Sequence, residues 1–319
     1  MIHSKNKYFL YNYITPVKRM SSDRIELYIF SGEDLPYGGS CIGWYDGQNR
    51  VLIDPNITWS PYGYSRGKRN VEQFEEDRAR IIDFGVESDF IIVTHSHKDH
   101  KNLQNEILNR KLERYGNVRN ASGIGSNSYG IKLTKKGYVA DIKPRCSRDY
   151  NNVAVHNGDS DCELYLTLRN TKHGVFDTYR QYTKKNMHSV GLNYNNGFSY
   201  RVVVTGDCIG PMDYELAKWI AKYDPNVLFL DGFFCKEIDR FPNHYKRSLE
   251  NVEHIVKNSD NLEKLVNLHH GLRTSDTEKV EMYLSDLQRI LDPEGVELEI
   301  PSTFGRRFGH NMRVERFRV

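Results

Sequence analysis

Residues 95–100 have the order His-Ser-His-Lys-Asp-His, which places three histidines and one aspartate within six positions. They directly follow the apolar run Phe90–Val93, whose β-branched and aromatic residues predict a strand. Imidazole and carboxylate groups are ligands for divalent first-row metals, zinc above all. Four such groups are more than one tetrahedral ion takes from a single loop. The segment therefore predicts two divalent metal ions, with Zn²⁺ preferred and Mn²⁺ or Fe²⁺ as alternatives.

The H-x-H-x-D-H order resembles the signature of the metallo-β-lactamase-fold hydrolases. Residues 51–55 look like the early strand of that family, which ends in Asp-Pro, and residues 201–207 are similar to its strand followed by Thr-Gly-Asp. Val227–Asp231 looks like the strand that precedes its last pair of helices. The resemblance covers about residues 38–272. It implies an α/β fold with four layers, an αββα sandwich that carries a binuclear metal site at the sheet edges.

The same resemblance implies a set of metal ligands. They are His95, His97 and His173 for one ion, Asp99, His100 and His269 for the other, and Asp207 as the bridge. Two of these positions have a competitor. His188 competes with His173, which is preferred because it directly follows a strand-like segment. His270 competes with His269, which is preferred because the first histidine after the strand is the ligand in the family pattern.

The implied chemistry is hydrolysis by a metal-bridging hydroxide. Two cations lower the pKa of a shared water towards neutrality, and the resulting hydroxide attacks a phosphorus atom or a carbonyl carbon. The resemblance implies that Asp99 also holds the proton of the nucleophile. His244 opens a predicted helix, at a position similar to a histidine that assists the leaving group in the tRNA 3′-processing endonucleases. The alternative for His244 is a solvated histidine at a helix start.

The leading functional hypothesis is a metal-dependent phosphodiesterase that acts on a nucleotide or nucleic acid. The chain looks most like the ribonuclease-Z-like and broad-specificity branch of the family. However, the spacing of the candidate ligands differs from that of the nucleic-acid-processing members of this branch. The segment between Asp207 and His269 is too short for their large extra domain. The segment between His173 and Asp207 is too short for the tRNA-gripping arm of the tRNA-processing enzymes. A smaller or single-stranded substrate is therefore preferred.

An anionic substrate of this kind needs cationic or hydrogen-bonding contacts. The candidates are Lys98, Arg180, Lys184, His188 and His270. Two alternatives stay open: a thioester or lactone hydrolase that uses the same binuclear site, and a metal-binding relative without turnover.

Composition restricts the partners and the location. The net charge of the 319-residue chain is only +3, which permits a nucleic-acid partner without requiring one. The mean hydropathy is −0.67, and no apolar run is long enough to span a bilayer. The first residues lack a signal-peptide core, and the five cysteines are widely spaced, which indicates reduced thiols. We therefore expect a cytoplasmic protein with no membrane partner, and a homodimer is compatible with the sequence.

Hydrophobic periodicity predicts the elements that position these residues. Helices are predicted over 70–83, 103–112, 211–222, 245–257 and 276–291, and strands within 25–32, 39–54 and 296–300. The residues between His173 and Gly191, which include Arg180 and Lys184, are predicted to form an inserted loop. One domain over 1–319 is expected, with an Arg-rich C-terminal tail at about 305–319. A terminal strand with one solvated face is the preferred interpretation of that tail, and a phosphate contact is the alternative.

Overall fold

The structure is a computed structural model. It describes residues 24–31, 37–38, 40–59, 68–95, 98–115, 129–132, 150–155, 163–176, 182–195, 198–304, 306–308 and 312–318. The strands in these ranges are β1 Arg24–Ser31, β2 Tyr37–Gly38, β3 Cys41–Tyr45, β4 Arg50–Ile53, β5 Thr58–Trp59, β6 Phe90–Val93, β7 Tyr129–Lys132, β8 Tyr150–Val155, β9 Glu163–Phe176, β10 Tyr182–Asn195, β11 Ser199–Val204, β12 Val227–Asp231, β13 Lys264–Leu268, β14 Glu297–Glu299, β15 Arg306–Phe308 and β16 Met312–Arg318. The α-helices are α1 Lys68–Glu87, α2 Lys98–Lys101, α3 Gln104–Tyr115, α4 Tyr214–Tyr223, α5 Pro242–Lys257 and α6 Thr277–Leu291.

Most of these strands belong to two seven-stranded sheets. The first sheet has the order β15-β16-β1-β3-β4-β6-β7, and the second has the order β14-β13-β12-β11-β10-β9-β8. In the first sheet β4 and β6 are parallel, whereas β1 is antiparallel to both β3 and β16. In the second sheet β11 to β14 are parallel, and β8 to β11 are antiparallel. The protein therefore has an α/β structure with mixed sheets.

Three apolar clusters hold the elements together. One cluster contains inward-facing residues of both sheets, among them Trp44 of β3 and Leu192 of β10. A second joins the other face of the first sheet to α1 and α3, and it includes Ile82 and Ile107. The third joins the other face of the second sheet to α4, α5 and α6. Strands β6, β12 and β13 are buried along their whole length. In β6 and in the first four residues of β12 the sequence is accordingly a continuous apolar run rather than an alternating one, whereas β13 also buries Lys264 and Asn267.

The long helices confirm the predicted periodicity. Helices α1, α3, α4, α5 and α6 overlap the five predicted segments, with ends that differ by a few residues. Helix α4 begins later than predicted because the Asp213 carboxylate accepts a hydrogen bond from the Glu215 amide and caps the helix there. The C-terminal segment forms a strand, as its preferred interpretation predicts, since β16 pairs with β1 and with β15. The solvated face of that strand stays a prediction. No described helix combines the length and the apolar character that a bilayer span requires.

The predicted loop after His173 is wrong. Strand β9 continues to Phe176, and β10 begins at Tyr182, so His173 and Lys184 lie in paired strands. The prediction failed because residues 170–176 and 182–186 are largely polar and show no apolar alternation. Cross-strand main-chain hydrogen bonds of the hairpin supply the order there. Arg180 lies outside the described residues.

One buried ammonium group connects the two sheets. Lys264 lies in β13 of the second sheet, and its Nζ is 2.8 Å from a carboxylate oxygen of Glu299 in β14. The same Nζ is 2.8 Å from a carboxylate oxygen of Glu315 in β16 of the first sheet. Because Lys264 is buried, these carboxylates offset the cost of removing its charge from water.

Candidate metal centre

Five strands of the two sheets end at one place. Asp54 follows β4, His95 follows β6, Asp207 follows β11, Asp231 ends β12, and His269 follows β13. Parallel strands bring their carboxyl ends to one edge of a sheet, and the facing sheet supplies the opposite half of the site. The backbone turns sharply there, with left-handed φ angles of 51° at Asp54 and 45° at His269. Non-glycine residues in that region are strained and cluster at functional sites.

The first group of potential ligands consists of His95, His100 and Asp207. The Nε2 atom of His100 is 2.9 Å from Oδ1 of Asp207, and the Nε2 atom of His95 is 3.2 Å from Oδ2 of the same carboxylate. The two imidazole rings are 4.1 Å apart between centroids. All three side chains are buried. Both oxygens of one carboxylate therefore face a histidine nitrogen.

The second group consists of Asp207, His269 and His270, so it shares the carboxylate of the first. His269 Nε2 lies 3.7 Å from Asp207 Oδ1, and the rings of His269 and His270 are 4.2 Å apart between centroids. Within each group, one potential ligand atom per residue lies within 4.8 Å of the others. Both groups have the composition and spacing to hold a metal ion, and Asp207 belongs to each.

Two further carboxylates orient the histidines from outside the groups. Asp54 Oδ2 is 2.8 Å from Nδ1 of His100, and Asp231 Oδ1 is 2.9 Å from Nδ1 of His270. An Nδ1–H that donates to a carboxylate leaves Nε2 as the ligand atom and makes it more basic. For His100, that Nε2 is the atom beside Asp207. Hydrogen bonds to the main chain hold the orienting carboxylates in turn: Asp54 accepts from the Thr94 amide at 2.7 Å and Asp231 from the His270 amide at 3.0 Å.

These two orienting roles were not predicted from the sequence. In the sequence, Asp54 and Asp231 are only the ends of strand-like segments that resemble those of the family. An acidic residue that directly follows a fully buried apolar strand was the available signal. Its partner, however, lies 46 positions away for Asp54 and 39 positions away for Asp231. Sequence spacing alone does not identify such a partner.

The charges of the cluster shift its protonation equilibria. Burial disfavours the charge of His100, but the neighbouring carboxylates Asp207 and Asp54 outweigh that effect and raise its pKa well above the usual range. Burial likewise opposes the charge of Asp207, yet the surrounding histidines hold its pKa well below the usual range. For His270, Asp231 and Asp207 overcome burial and raise the pKa. Without a metal ion, the buried carboxylates therefore favour the protonated forms of His100 and His270.

Helix α6 holds the two loops that carry Asp231 and the paired histidines. The hydroxyl of Tyr283, which is buried, accepts a hydrogen bond from the Phe233 amide at 3.2 Å and donates to Asn267 Oδ1 at 3.3 Å. A Cβ atom at Gly232 would lie 2.4 Å from that same Oδ1. Only glycine permits this approach, so the loop after β12 packs directly against the end of β13.

The remaining predicted ligands are described only in part. His97 lies outside the described residues. Lys98 and Asp99 lie in the short helix α2, where the structure gives the path of the backbone but not the side chains. The sequence assigned His95 and His100 to different ions, whereas here they lie in one group with Asp207. The division of ligands between two ions, including His97 and Asp99, stays a prediction.

The geometry favours His188 over His173 as the histidine near this centre. His188 is buried, and its amide donates to the Thr94 carbonyl at 3.0 Å, next to His95. In the hairpin, His188 of β10 pairs with Asn170 of β9. His173 lies three positions after Asn170 in β9 and pairs with Lys185. An odd offset along a strand places His173 on the opposite register face of the hairpin. Between His269 and His270, the structure brings both to Asp207.

His244 lies in the first turn of α5, two residues after Pro242. Its ring meets that of Phe241 edge-on, with 5.7 Å between centroids. The amide of His244 donates to the Phe241 carbonyl at 3.1 Å. The predicted helix start is thus confirmed to within a few residues, and the role of His244 as an acid stays a prediction.

Comparisons with known proteins identify relatives of similar length. The chain is 26% identical over 239 residues to a UPF0282 protein of Sulfurisphaera tokodaii, which covers 72% of this chain and 73% of that protein. It is 26% identical over 265 residues to a UPF0282 protein of Metallosphaera sedula, covering 78% and 77% of the two chains. A crystal structure of a protein of unknown function from Enterococcus faecalis aligns over 89% of this chain and 71% of that one, with 11% identity and a TM-score of 0.33. No family model matches the chain.

Replacing Asp207 with alanine is expected to weaken metal binding in both groups, because both use its carboxylate. His270→Ala removes one potential metal ligand, which belongs to the second group only, and is expected to weaken metal binding at that site alone. We expect Asp207→Ala to lower zinc affinity by at least roughly 100-fold, measured by competition with a chromogenic chelator and by elemental analysis. Asp260→Ala, at an exposed aspartate, is the matched control. Unchanged metal content in Asp207→Ala would contradict the shared-carboxylate geometry.

Metal binding is expected to release protons near neutral pH. Since the neighbouring carboxylates raise the pKa values of His100 and His270, these residues keep their protons to a higher pH than a free imidazole, and a metal ion requires the neutral imidazole. The apparent affinity should therefore rise with pH and fall as the solution is acidified. Calorimetric titration in two buffers with different ionisation enthalpies measures the number of protons. An enthalpy that is the same in both buffers would show that no proton leaves.

Proposed function

We propose that this protein is a binuclear metallohydrolase of the metallo-β-lactamase type, and that it hydrolyses phosphodiesters of a nucleotide or nucleic acid. The observation that carries the proposal is the buried Asp207 carboxylate, which is common to two groups of potential metal ligands. A shared carboxylate between two sets of histidines suits a pair of divalent ions, for which Zn²⁺ is preferred and Mn²⁺ or Fe²⁺ are alternatives. The names of the relatives describe no activity, so the proposal depends on this site and on the sequence resemblance.

The arrangement of the apolar clusters supports the four-layer αββα sandwich that the resemblance implies. One cluster joins the two sheets, and the other two join each sheet to its own helices. A helix–sheet–sheet–helix stack would have three apolar clusters in that order, so the clusters support the proposed architecture. The ligands at the carboxyl ends of β6, β11 and β13 also agree with a metal site at the sheet edges.

The residues of this chain have separate tasks in the proposed reaction. When bound, two divalent ions supply Lewis acidity and lower the pKa of a water molecule. Asp54 holds the Nδ1 proton of His100, and Asp231 holds that of His270, so that the Nε2 atoms are available to a metal. Burial of the whole set excludes bulk water, which strengthens the interaction of these groups with an anionic phosphodiester. Asp99 is proposed to hold the proton of the nucleophile, and His244 to donate one to the departing oxygen.

The three cysteines that the structure describes support the proposed cytoplasmic location. Cys41, Cys208 and Cys235 are buried free thiols. Burial raises the pKa of Cys235 to about 12, and it raises that of Cys208 well above the usual range. Thiols of this kind are unreactive packing residues, typical of a reducing compartment.

The purified protein loaded with Zn²⁺ or Mn²⁺ is expected to hydrolyse bis-p-nitrophenyl phosphate, and excess chelator should abolish the activity until metal is restored. A parallel assay with thioester and lactone substrates tests the alternative reaction class. Turnover of the carbonyl substrates alone would replace the phosphodiesterase proposal. Absence of turnover in a protein that binds two ions would favour the metal-binding relative without activity.

His244→Ala is expected to slow hydrolysis of a phosphodiester with a poor leaving group by about 100-fold, because such an oxygen needs a proton to depart. Hydrolysis of the nitrophenyl ester should be affected far less, since nitrophenolate leaves without protonation. His254→Ala, which changes a half-buried histidine near the other end of the same helix, is the control. Equal slowing of both substrates would remove the proposed acid role of His244.

A further inference from the structure

The hairpin of β9 and β10 is longer than the strands beside it. β8 pairs with β9 no further than Leu168, and β11 pairs with β10 no further than Val190. The two hairpin strands, in contrast, pair with each other as far as Phe176 and Tyr182. Residues 170–176 and 182–189, which we call the distal ribbon, therefore form a two-stranded extension. Among the strands that the structure describes, none pairs with its outer edges.

The base of the distal ribbon lies beside the candidate metal centre. The His188 amide donates to the Thr94 carbonyl at 3.0 Å, and Thr94 directly precedes His95. On the other side, a Cβ atom at Gly206 would lie 3.3 Å from the His188 carbonyl oxygen, and Asp207 follows Gly206. The ribbon therefore begins between the two strand ends that supply His95 and Asp207.

The ribbon is basic. Residues 170–176 and 182–189 include three lysines and no acidic residue, and Asp177 is the sole acidic residue between Glu163 and Asp207 in the sequence. The register is regular and places Lys172 opposite Asn186, Lys184 opposite Gly174, and Phe176 opposite Tyr182.

Lys172, Lys184 and the aromatic pair share a register face. Their cross-strand pairs are separated from the Asn170–His188 pair by even numbers of positions, so they belong to the face of the hairpin that includes His188. Closer to the core, the same face of the hairpin carries Leu168 and Val190, which belong to the apolar cluster between the two sheets. A row of two lysine positions followed by two aromatic positions thus leads away from the metal centre.

We infer that the distal ribbon binds single-stranded nucleic acid and guides it towards the Asp207 centre. The inference rests on the proposed function, because it names the substrate class of that site. Lysines along a ribbon neutralise successive phosphates, and aromatic rings stack on bases of any sequence. A single strand has bases free to stack and is flexible enough to reach a centre formed by buried side chains. A duplex has neither property, since its bases are paired and its axis is stiff.

The test measures binding of a fluorescein-labelled twelve-nucleotide oligothymidylate to the full chain by anisotropy, in chelator so that no cleavage occurs. The double variant Lys172→Gln/Lys184→Gln is expected to bind roughly tenfold more weakly than the wild type. The slope of log affinity against log salt should fall by about 0.7 for each phosphate that the variant no longer neutralises. Lys218→Gln/Lys246→Gln, which removes the same charge from α4 and α5, is the control and should bind like the wild type. Thermal melting verifies the fold of each variant.

A second variant tests the aromatic positions independently of charge. Phe176→Ala/Tyr182→Ala is expected to weaken oligothymidylate binding while leaving the salt slope unchanged, because stacking releases no counterions. Binding that is as tight for the matching duplex, or for inorganic polyphosphate, as for the single strand would overturn the inference. So would equal weakening in the ribbon variant and its control.

The outcomes for the inference and for the proposed function are separable in the wild type. Protein that binds the oligonucleotide but hydrolyses no phosphodiester would support the ribbon inference and overturn the proposed activity. Protein that hydrolyses bis-p-nitrophenyl phosphate but does not bind the oligonucleotide would overturn the ribbon inference alone.

Discussion

The carboxylate of Asp207 is the charge on which the site depends. It is buried beneath three histidine side chains that approach it from two sheets, and an isolated carboxylate in that position would be costly. Neighbouring imidazole rings only 4.1 to 4.2 Å apart would in turn repel each other if they were protonated without an anion between them. Each charge is therefore tolerated because the other is present, and a metal ion would satisfy the same balance in place of the protons.

The same alternation of charge extends outward to the backbone. The Asp54 carboxylate lies on the far side of His100 and accepts a hydrogen bond from the Thr94 amide. The Asp231 carboxylate lies on the far side of His270 and accepts hydrogen bonds from the amides of Ile209 and His270. The amides are available because each of these segments has just left its strand, so it no longer donates to the sheet. The strained turns at Asp54 and His269 are part of that departure. Order at the centre thus comes from the ends of the strands, and the stiff sheets determine where those ends lie.

The sequence predicts the long helices and part of the centre because those features depend on local patterns. Apolar periodicity defines α1, α5 and α6, and a polar cluster directly after a buried strand identifies His95 and His100. The α/β class and the candidate Asp207, in contrast, come from the family resemblance. The pairing of Asp54 with His100, or of Asp231 with His270, depends on how strands align across the sheets, which no local pattern encodes. The course of β9 and β10 was missed for a related reason. Beyond Leu168 the sequence of the hairpin has no apolar residues at alternating positions, so no period of two predicts its strands. The sequence therefore favours His173, which follows the recognisable part of β9, whereas the backbone of His188 lies beside the centre.

The register of the first sheet has a consequence for biosynthesis. β1 lies between β3 and β16. One edge of β1, which begins at residue 24, therefore cannot pair until β16, which ends at residue 318, has been synthesised. The bond between Lys264 and Glu315 has the same requirement, since its acidic partner lies in that late strand. A nascent chain on the ribosome therefore exposes one edge of β1 for almost the whole of translation. Lys264 is made much later, and it lacks Glu315 only while the last part of the chain is synthesised. Pairings of such high contact order form slowly, and an open strand edge invites association with other chains. The first sheet is consequently the part of this protein for which a chaperone that shields nascent strands would matter most.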